Sequence, residues 1–261
     1  MLLSKSNQIL LIVNRIFLCF YLLLFALSGF GQTIDKTKSI SMKTGVTFAN
    51  MYGPKADAET FLNGRNPESF YANHAASNVF KSGFNFGVLL DYRTRKHFSW
   101  GLGMSYIQKG AKINATRHWN SDLDDYEAVD GKIVWKQNFL TVEVPFTYHL
   151  QIKQDELYFR LGLFAGILLN SEEKGDISIA GKDYKYVNDR DANKVEPGYF
   201  IAIGYTYALP NPENKIFAEL SWARSVFVSP GRDMVPGSQY YYNQSISISL
   251  GYKFSVKVKS N

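Results

Sequence analysis

From residue 39 onward the chain places apolar side chains at every second position and small or polar ones between them. A period of two sends successive side chains to opposite faces of a strand, so these runs call for a sheet with one apolar and one hydrophilic face. In residues 244–254 the set Ile246, Ile248, Leu250, Tyr252 and Phe254 alternates with Ser245, Ser247, Ser249, Gly251 and Lys253. Phe84, Phe86, Val88 and Leu90 alternate with Gly83, Asn85, Gly87 and Asp91, broken only by Leu89. Leu140, Val142, Val144, Phe146 and Tyr148 stand against Thr141, Glu143, Thr147 and His149.

Eight such segments can be drawn, at about 39–51, 80–92, 98–111, 136–151, 157–170, 198–209, 215–227 and 242–254. Each has the roughly 9 to 11 residues that a tilted strand needs to cross a bilayer. The connections at 93–97, 152–156 and 210–214 are tight and polar, whereas 52–79, 112–135, 171–197 and 228–241 are long. Short turns at one end and long loops at the other is the pattern of a membrane barrel with periplasmic turns and extracellular loops. In hydrocarbon every unpaired backbone group is costly, so the strands must pair all the way round. The expected fold is all-β, an eight-stranded antiparallel up-and-down transmembrane β-barrel over residues 39–254. A soluble sandwich or lipocalin-like barrel has the same alternation with its apolar faces turned to a dry core.

Aromatic residues make up 15% of the chain, and their places favour the membrane. Tyr92, Phe98, Trp100, Tyr148, Tyr205, Tyr207, Phe217, Tyr252 and Phe254 are expected near the periplasmic strand ends, and Tyr106, Trp135, Tyr199, Trp222 and Phe227 near the other. Two such belts are where amphipathic rings meet headgroups.

After residue 32 no uncharged stretch is long enough for a membrane helix. At the N-terminus Lys5 and Arg15 precede the apolar run 16–28, and Gly29-Phe30-Gly31 offers a small-x-small site. This predicts a signal peptide over 1–31, cleaved before Gln32, then a short linker over 32–38 and a C-terminal tail over 255–261. An uncleaved anchor is the alternative. Cys19, the one cysteine, lies in the leader, so the mature chain has no disulfide, thiolate metal site or cysteine nucleophile. The formal charge of +6 falls to +4 without Lys5 and Arg15, and the remaining basic residues are dispersed, so no nucleic-acid partner is expected.

With the apolar face in lipid, the lumen receives Lys43, Lys81, Asp91, Lys109, Glu143, Arg160, Glu219 and Lys253. An eight-stranded barrel is just wide enough for side chains to fill, so these charges must pair. Lys43, Glu143, Arg160 and Glu219 are the expected lumen charge network; a gated path for a small solute or ion is the alternative use of the same residues. In the loops, Tyr240, Tyr241 and Tyr242 are candidates for surface interaction or for an interfacial girdle. Residues 177–187 read as a hairpin above the membrane. The acidic stretch with Asp122, Asp124, Asp125, Glu127 and Asp130 lacks the glycine and glutamate offsets of a calcium loop. No cofactor or metal is expected. His118 with Ser121 and Asp122 or Asp124 is a loop cluster without a catalytic motif, and His74, His97 and His149 fall in a loop, a turn and a strand end.

Three segments resemble the PorT-like family of outer-membrane β-barrels: residues 106–112 (YIQKGAK), Val144-Pro145, and residues 162–169 (GLFAGILL). The similarity runs over about 39–254. It implies a barrel in the outer membrane of a Gram-negative envelope, with outer-membrane lipid and the assembly machinery as partners, and it implies no single activity. The expected role is non-enzymatic, structural or surface-interacting through the outer loops. A narrow pore or transport accessory is the first alternative, and a barrel enzyme acting on envelope lipid or polysaccharide the second.

Overall fold

The computed structural model describes residues 37–53, 56–64, 70–73, 76–120, 124–190, 192–211, 213–226 and 241–257. The leader and its cleavage site therefore lie outside the described residues, as do His74, Ser121, Asp122, Phe227 and Tyr240.

Eleven strands are described: β1 (Thr37–Tyr52), β2 (Glu59–Asn63), β3 (Tyr71–Ala72), β4 (Lys81–Arg95), β5 (Phe98–Asn120), β6 (Asp125–Ile152), β7 (Asp155–Ile179), β8 (Lys182–Asp189), β9 (Val195–Ala208), β10 (Asn214–Ser225) and β11 (Tyr242–Lys257). Eight of them close a ring, each paired antiparallel with its neighbours in the order β1, β4, β5, β6, β7, β9, β10, β11. The first and last strands seal it, with Thr37 opposite Lys257 and Tyr52 opposite Tyr242. Strand β11 thus runs past Phe254 into the segment expected as a tail. A closed ring leaves no unpaired edge in hydrocarbon, which is the requirement that selected the barrel from the sequence.

The outward face is apolar. Phe84 is 50% exposed, Val142 42%, Ile203 42% and Ile248 56%. The soluble alternative needs these same residues in a dry core, and they are not there. Inward positions along the lower barrel are small or polar: Ser39, Ser41, Thr47, Asn85, Ser105, Thr141, Ser247 and Ser249 are all buried.

The segment 112–135, expected as a loop, is strand for most of its length. β5 continues to Asn120 and β6 starts at Asp125, so the two form one long hairpin turning through Asp124 at φ 51°. β7 likewise continues to Ile179 and turns through Ala180 and Gly181, both at positive φ, into β8. That hairpin is the one the sequence places at 177–187.

Along these extensions the apolar residues pass from the outward to the inward face. Below that change, β6 turns Val142, Val144, Phe146 and Tyr148 outward; above it the exposed positions are Lys132 and Asp130, while Val129, Ile133, Trp135 and Phe139 are buried. On β7 the switch coincides with a register shift between β6 and β7, where Phe139 faces Leu168 and Asn138 faces Asn170. One residue out of register exchanges the two faces, so on β7 the bulge turns the apolar side from lipid to interior, whereas on β5 and β6 the facing continues and the residue types exchange instead. From Leu140 to Leu150 the lipid-facing band of β6 spans roughly 28 Å along the barrel axis, close to the ~25 Å of an outer-membrane band.

Above that band Leu62, Phe70, Ala72, Ile113, Ala115, Val129, Ile133, Ile177, Ile179 and Tyr186 form an apolar core of their own. Strand β2 pairs parallel with β5 at the edge of the sheet and contributes Leu62 to this core. Among the described residues the outer part of the protein is thus a packed β-platform.

Candidate functional site

The lumen is filled by four polar layers stacked along the axis. At the periplasmic end, Arg93 from β4 pairs with Glu156 at the start of β7. Glu156 also accepts from His149 Nδ1 at 2.8 Å, and His149 Nε2 lies 2.7 Å from Ser99 Oγ. Ser99 Oγ donates to Asp91 Oδ1 at 2.9 Å, and Lys253 stands 3.8 Å from the other Asp91 oxygen.

One turn of the barrel higher, Glu219 takes Lys43 on one carboxylate oxygen at 2.9 Å and Arg160 on the other, with the Tyr158 hydroxyl donating to it at 3.0 Å. Glu143 lies beside this cluster and accepts from the Ser105 hydroxyl at 2.7 Å. Of the four residues expected as the lumen network, three are in direct contact and Glu143 is held by a hydroxyl instead of a cation. The set is still balanced, two cations against two carboxylates, which is what a low-dielectric interior requires.

The third layer pairs Lys109 with Glu196 at 2.5 Å. Asn243 donates to the second Glu196 oxygen at 2.6 Å and to Gln137 at 3.0 Å. Between these two layers remains a cavity of about 50 Å³ lined by Lys43, Ser105, Thr141, Glu143, Phe164 and Ser247 among others. A buried water needs on the order of 10–15 Å³ of such space, so the cavity holds a few waters and no larger solute.

The uppermost layer joins β7, β8 and β3. Glu173 on β7 pairs with Arg190 and accepts from the Tyr186 hydroxyl at 2.6 Å, and Tyr186 in turn accepts the Ala72 amide at 3.0 Å. Burial and the Glu173 carboxylate hold the Tyr186 phenol above its ordinary range, so it remains a donor.

Aromatic rings fill what the charges leave. Phe217 and Trp135, expected in the membrane girdles, are buried inside. Phe217 lies over Gly251, where an added Cβ would sit 2.2 Å from its ring, and Trp135 packs with Tyr241 at 5.9 Å between centroids. Rings over strand glycines cover backbone that has no side chain of its own. Of the tyrosine cluster, Tyr241 is therefore buried and not a presented loop residue, and burial pushes its phenol up to about 12. Tyr242 sits at the rim, with the Arg224 guanidinium over it and over Tyr52.

The chain of contacts from Ser99 through His149 to Glu156 has the atom order of a nucleophile, base and orienting acid. Its proton is contested: the one hydroxyl hydrogen of Ser99 is directed at Asp91, and all three side chains are buried within a cluster whose charges already pair. Among the loop histidines, His118 is buried against Phe70 and contacts the Gly64 carbonyl at 2.8 Å. Among the described residues no group of three His, Cys, Asp or Glu side chains could hold a metal ion.

The family model described as "outer membrane protein beta-barrel domain" matches residues 30–227. The chain belongs to the outer membrane protein β-barrel domain family. Its lipid-facing band and closed ring are the family's outer-membrane fold. Among solved structures this β-barrel protein is similar to OprG from Pseudomonas aeruginosa, at 9% identity and TM-score 0.42, covering 86% of this chain and 98% of that one. Neisserial surface protein A is similar at 10% identity and TM-score 0.39, with 82% and 96% covered. Ail, the attachment invasion locus protein of Yersinia pestis, is similar at 15% identity and TM-score 0.32, with 85% and 100% covered. No curated protein matches the sequence.

Proposed function

We propose that this outer-membrane β-barrel is a non-conducting, non-enzymatic anchor whose working part is the outer β-platform, serving structure or interaction at the cell surface. The observation that carries this reading is the combination of a lumen filled by paired charges with β5, β6 and β7 continuing far beyond the lipid band. From Gln108 to Asn120 strand β5 alone extends about 40 Å, and its inner residues Ile113 and Ala115 are buried in a core shared with Leu62, Ile133 and Ile177. A mere membrane anchor has no use for a second core outside the membrane, and a rigid scaffold is where recognition surfaces are commonly carried.

The PorT-like assignment, resting on residues 106–112, Val144-Pro145 and 162–169, belongs to this proposal, as does delivery by a leader cleaved before Gln32 and insertion by the outer-membrane assembly machinery. The test is planar-bilayer conductance of the refolded protein. The proposal expects no stepwise current in 1 M-scale salt; steady unitary currents favour the narrow pore and overturn it. N-terminal sequencing of the outer-membrane form, expected to begin at Gln32, tests the leader.

A further inference from the structure

Above the membrane the strands β3, β2, β5, β6, β7 and β8 all contribute to one core, and the sheet they form there ends at β3 on one side and β8 on the other. These two ends meet without a backbone ladder. The Ala72 amide donates to the Tyr186 hydroxyl at 3.0 Å, and Arg190 donates to the Ala72 carbonyl at 2.5 Å, so side chains bridge the seam. Strand β8 is paired with β7 along one edge only. Among the described residues no backbone group of Lys182–Asp189 is bonded on its other edge.

The hairpin turn decides which groups that edge presents. Ala180 at φ 49° and Gly181 at φ 78° are the two central residues of a type I′ turn, whose flanking pair, Ile179 and Lys182, exchanges both backbone hydrogen bonds. Bonded and unbonded pairs alternate along an antiparallel ladder, so Tyr184, Tyr186 and Asn188 also bond to β7. The N–H and C=O groups of Asp183, Lys185, Val187 and Asp189 therefore point away from it. The register runs from Lys182 to Asp189 without a shift, which keeps this edge regular. An unpaired row of backbone groups is a template for another extended chain. Its side chains stand in the open: Val187 is 59% exposed, Lys185 pairs at the surface with Asp176, and the exposed Asp183 and Asp189 are in no ion pair among the described residues.

We propose that the free edge of β8 takes up an extended segment of a partner polypeptide as an antiparallel strand, with basic residues of that segment opposite Asp183 and Asp189, an apolar one opposite Val187 and an acidic one opposite Lys185. Main-chain bonds give the segment its place, and the charges across the ladder give it its register. A second copy of this chain in the same membrane does not fit. Both barrels stand upright, so their β8 strands run the same way, and in full overlap with an inverted copy Asp183 meets Asp189. The inference rests on the reading of the outer platform as the working part and names the class of partner it takes.

The experiment uses the full mature chain refolded in dodecyl maltoside and a fluorescent heptapeptide, KTVTETK, capped at both ends. In an antiparallel ladder its first lysine falls opposite Asp189, its valine opposite Val187, its glutamate opposite Lys185 and its last lysine opposite Asp183. Saturable binding is expected in fluorescence anisotropy, and weaker binding of the charge-exchanged peptide ETVTKTE. N-methylation of the valine and glutamate removes two donors to β8 and is expected to weaken binding roughly 30-fold, whereas N-methylation of the threonines, whose amides face away, leaves it unchanged. Val187→Pro removes an edge donor that β7 does not use and is expected to cost the unmodified peptide roughly 5-fold. No binding of KTVTETK, or the same affinity for both methylated peptides, overturns the edge site. The methylated peptides are read on the native protein, so the result stands even if Val187→Pro disturbs the hairpin. A non-conducting protein that ignores the peptide overturns this inference alone, while unitary currents overturn the anchor reading whether or not the peptide binds.

Discussion

At Glu219 the interior depends on a single carboxylate. It holds Lys43 and Arg160 and accepts from Tyr158, so Glu219→Ala leaves two cations unpaired inside the barrel. Urea unfolding in lipid vesicles should show a loss of about 3–5 kcal/mol, and Glu219→Gln a smaller one because the amide oxygen still accepts. A loss within 0.5 kcal/mol of zero, roughly the noise of a surface substitution, would mean the layer is wet and screened. Ser99 is the corresponding test of the non-enzymatic reading: with its proton directed at Asp91, a fluorophosphonate probe should leave the refolded protein unlabelled, and stoichiometric labelling abolished by Ser99→Ala would establish a nucleophile. The contacts of Lys43 and Arg160 with Glu219 follow from all three falling on the hydrophilic side of strongly alternating segments. Glu156 was not legible in the sequence, because it sits beside the tight turn at Lys153, where the alternation has only just begun and its face is undetermined. Phe217 and Trp135 misled for a related reason: a ring on the inner face covers a glycine or fills a core, and its sequence neighbours do not say which side is lipid.

Among the elements, the eight barrel strands were legible to within a few residues, since lipid on one side and water or hydroxyls on the other impose a steady period of two. The outer extensions of β5, β6 and β7 were not, and the cause is the passage of the apolar residues to the inward face. Beyond Tyr106 and Leu140 the outward side chains become Lys112, Asn114, Lys132 and Lys136 while Ile113 and Ile133 turn inward, so the apolar parity changes and the run looks like a charged loop. Because this platform has its own core, it should be separable from the barrel. Replacing residues 113–133 by a short Asn-Gly turn is predicted to keep the heat-dependent gel shift while abolishing protease protection of β2 and β8, which pack on that core. Loss of the gel shift would show instead that the barrel needs the platform to close. Gly110 lies in the same element, and Gly110→Ala is expected to destabilise by about 1–3 kcal/mol in vesicle unfolding, through strain at positive φ and the clash with Trp135.

For the whole molecule the account is a closed ring with lipid outside and paired charges within, carrying a packed sheet above the membrane. Everything else follows from which face touches lipid. The mature chain expected after cleavage has no cysteine, so single thiols can be placed at will for a fluorescent probe. Probes at Phe84, Val142, Ile203 and Ile248 and at Ser105, Thr141 and Ser247 would be read for quenching by bilayers of bromine-labelled lipid. The account predicts strong quenching at the first four positions and little at the last three. Quenching of the serine and threonine positions with the four apolar positions dark would contradict it.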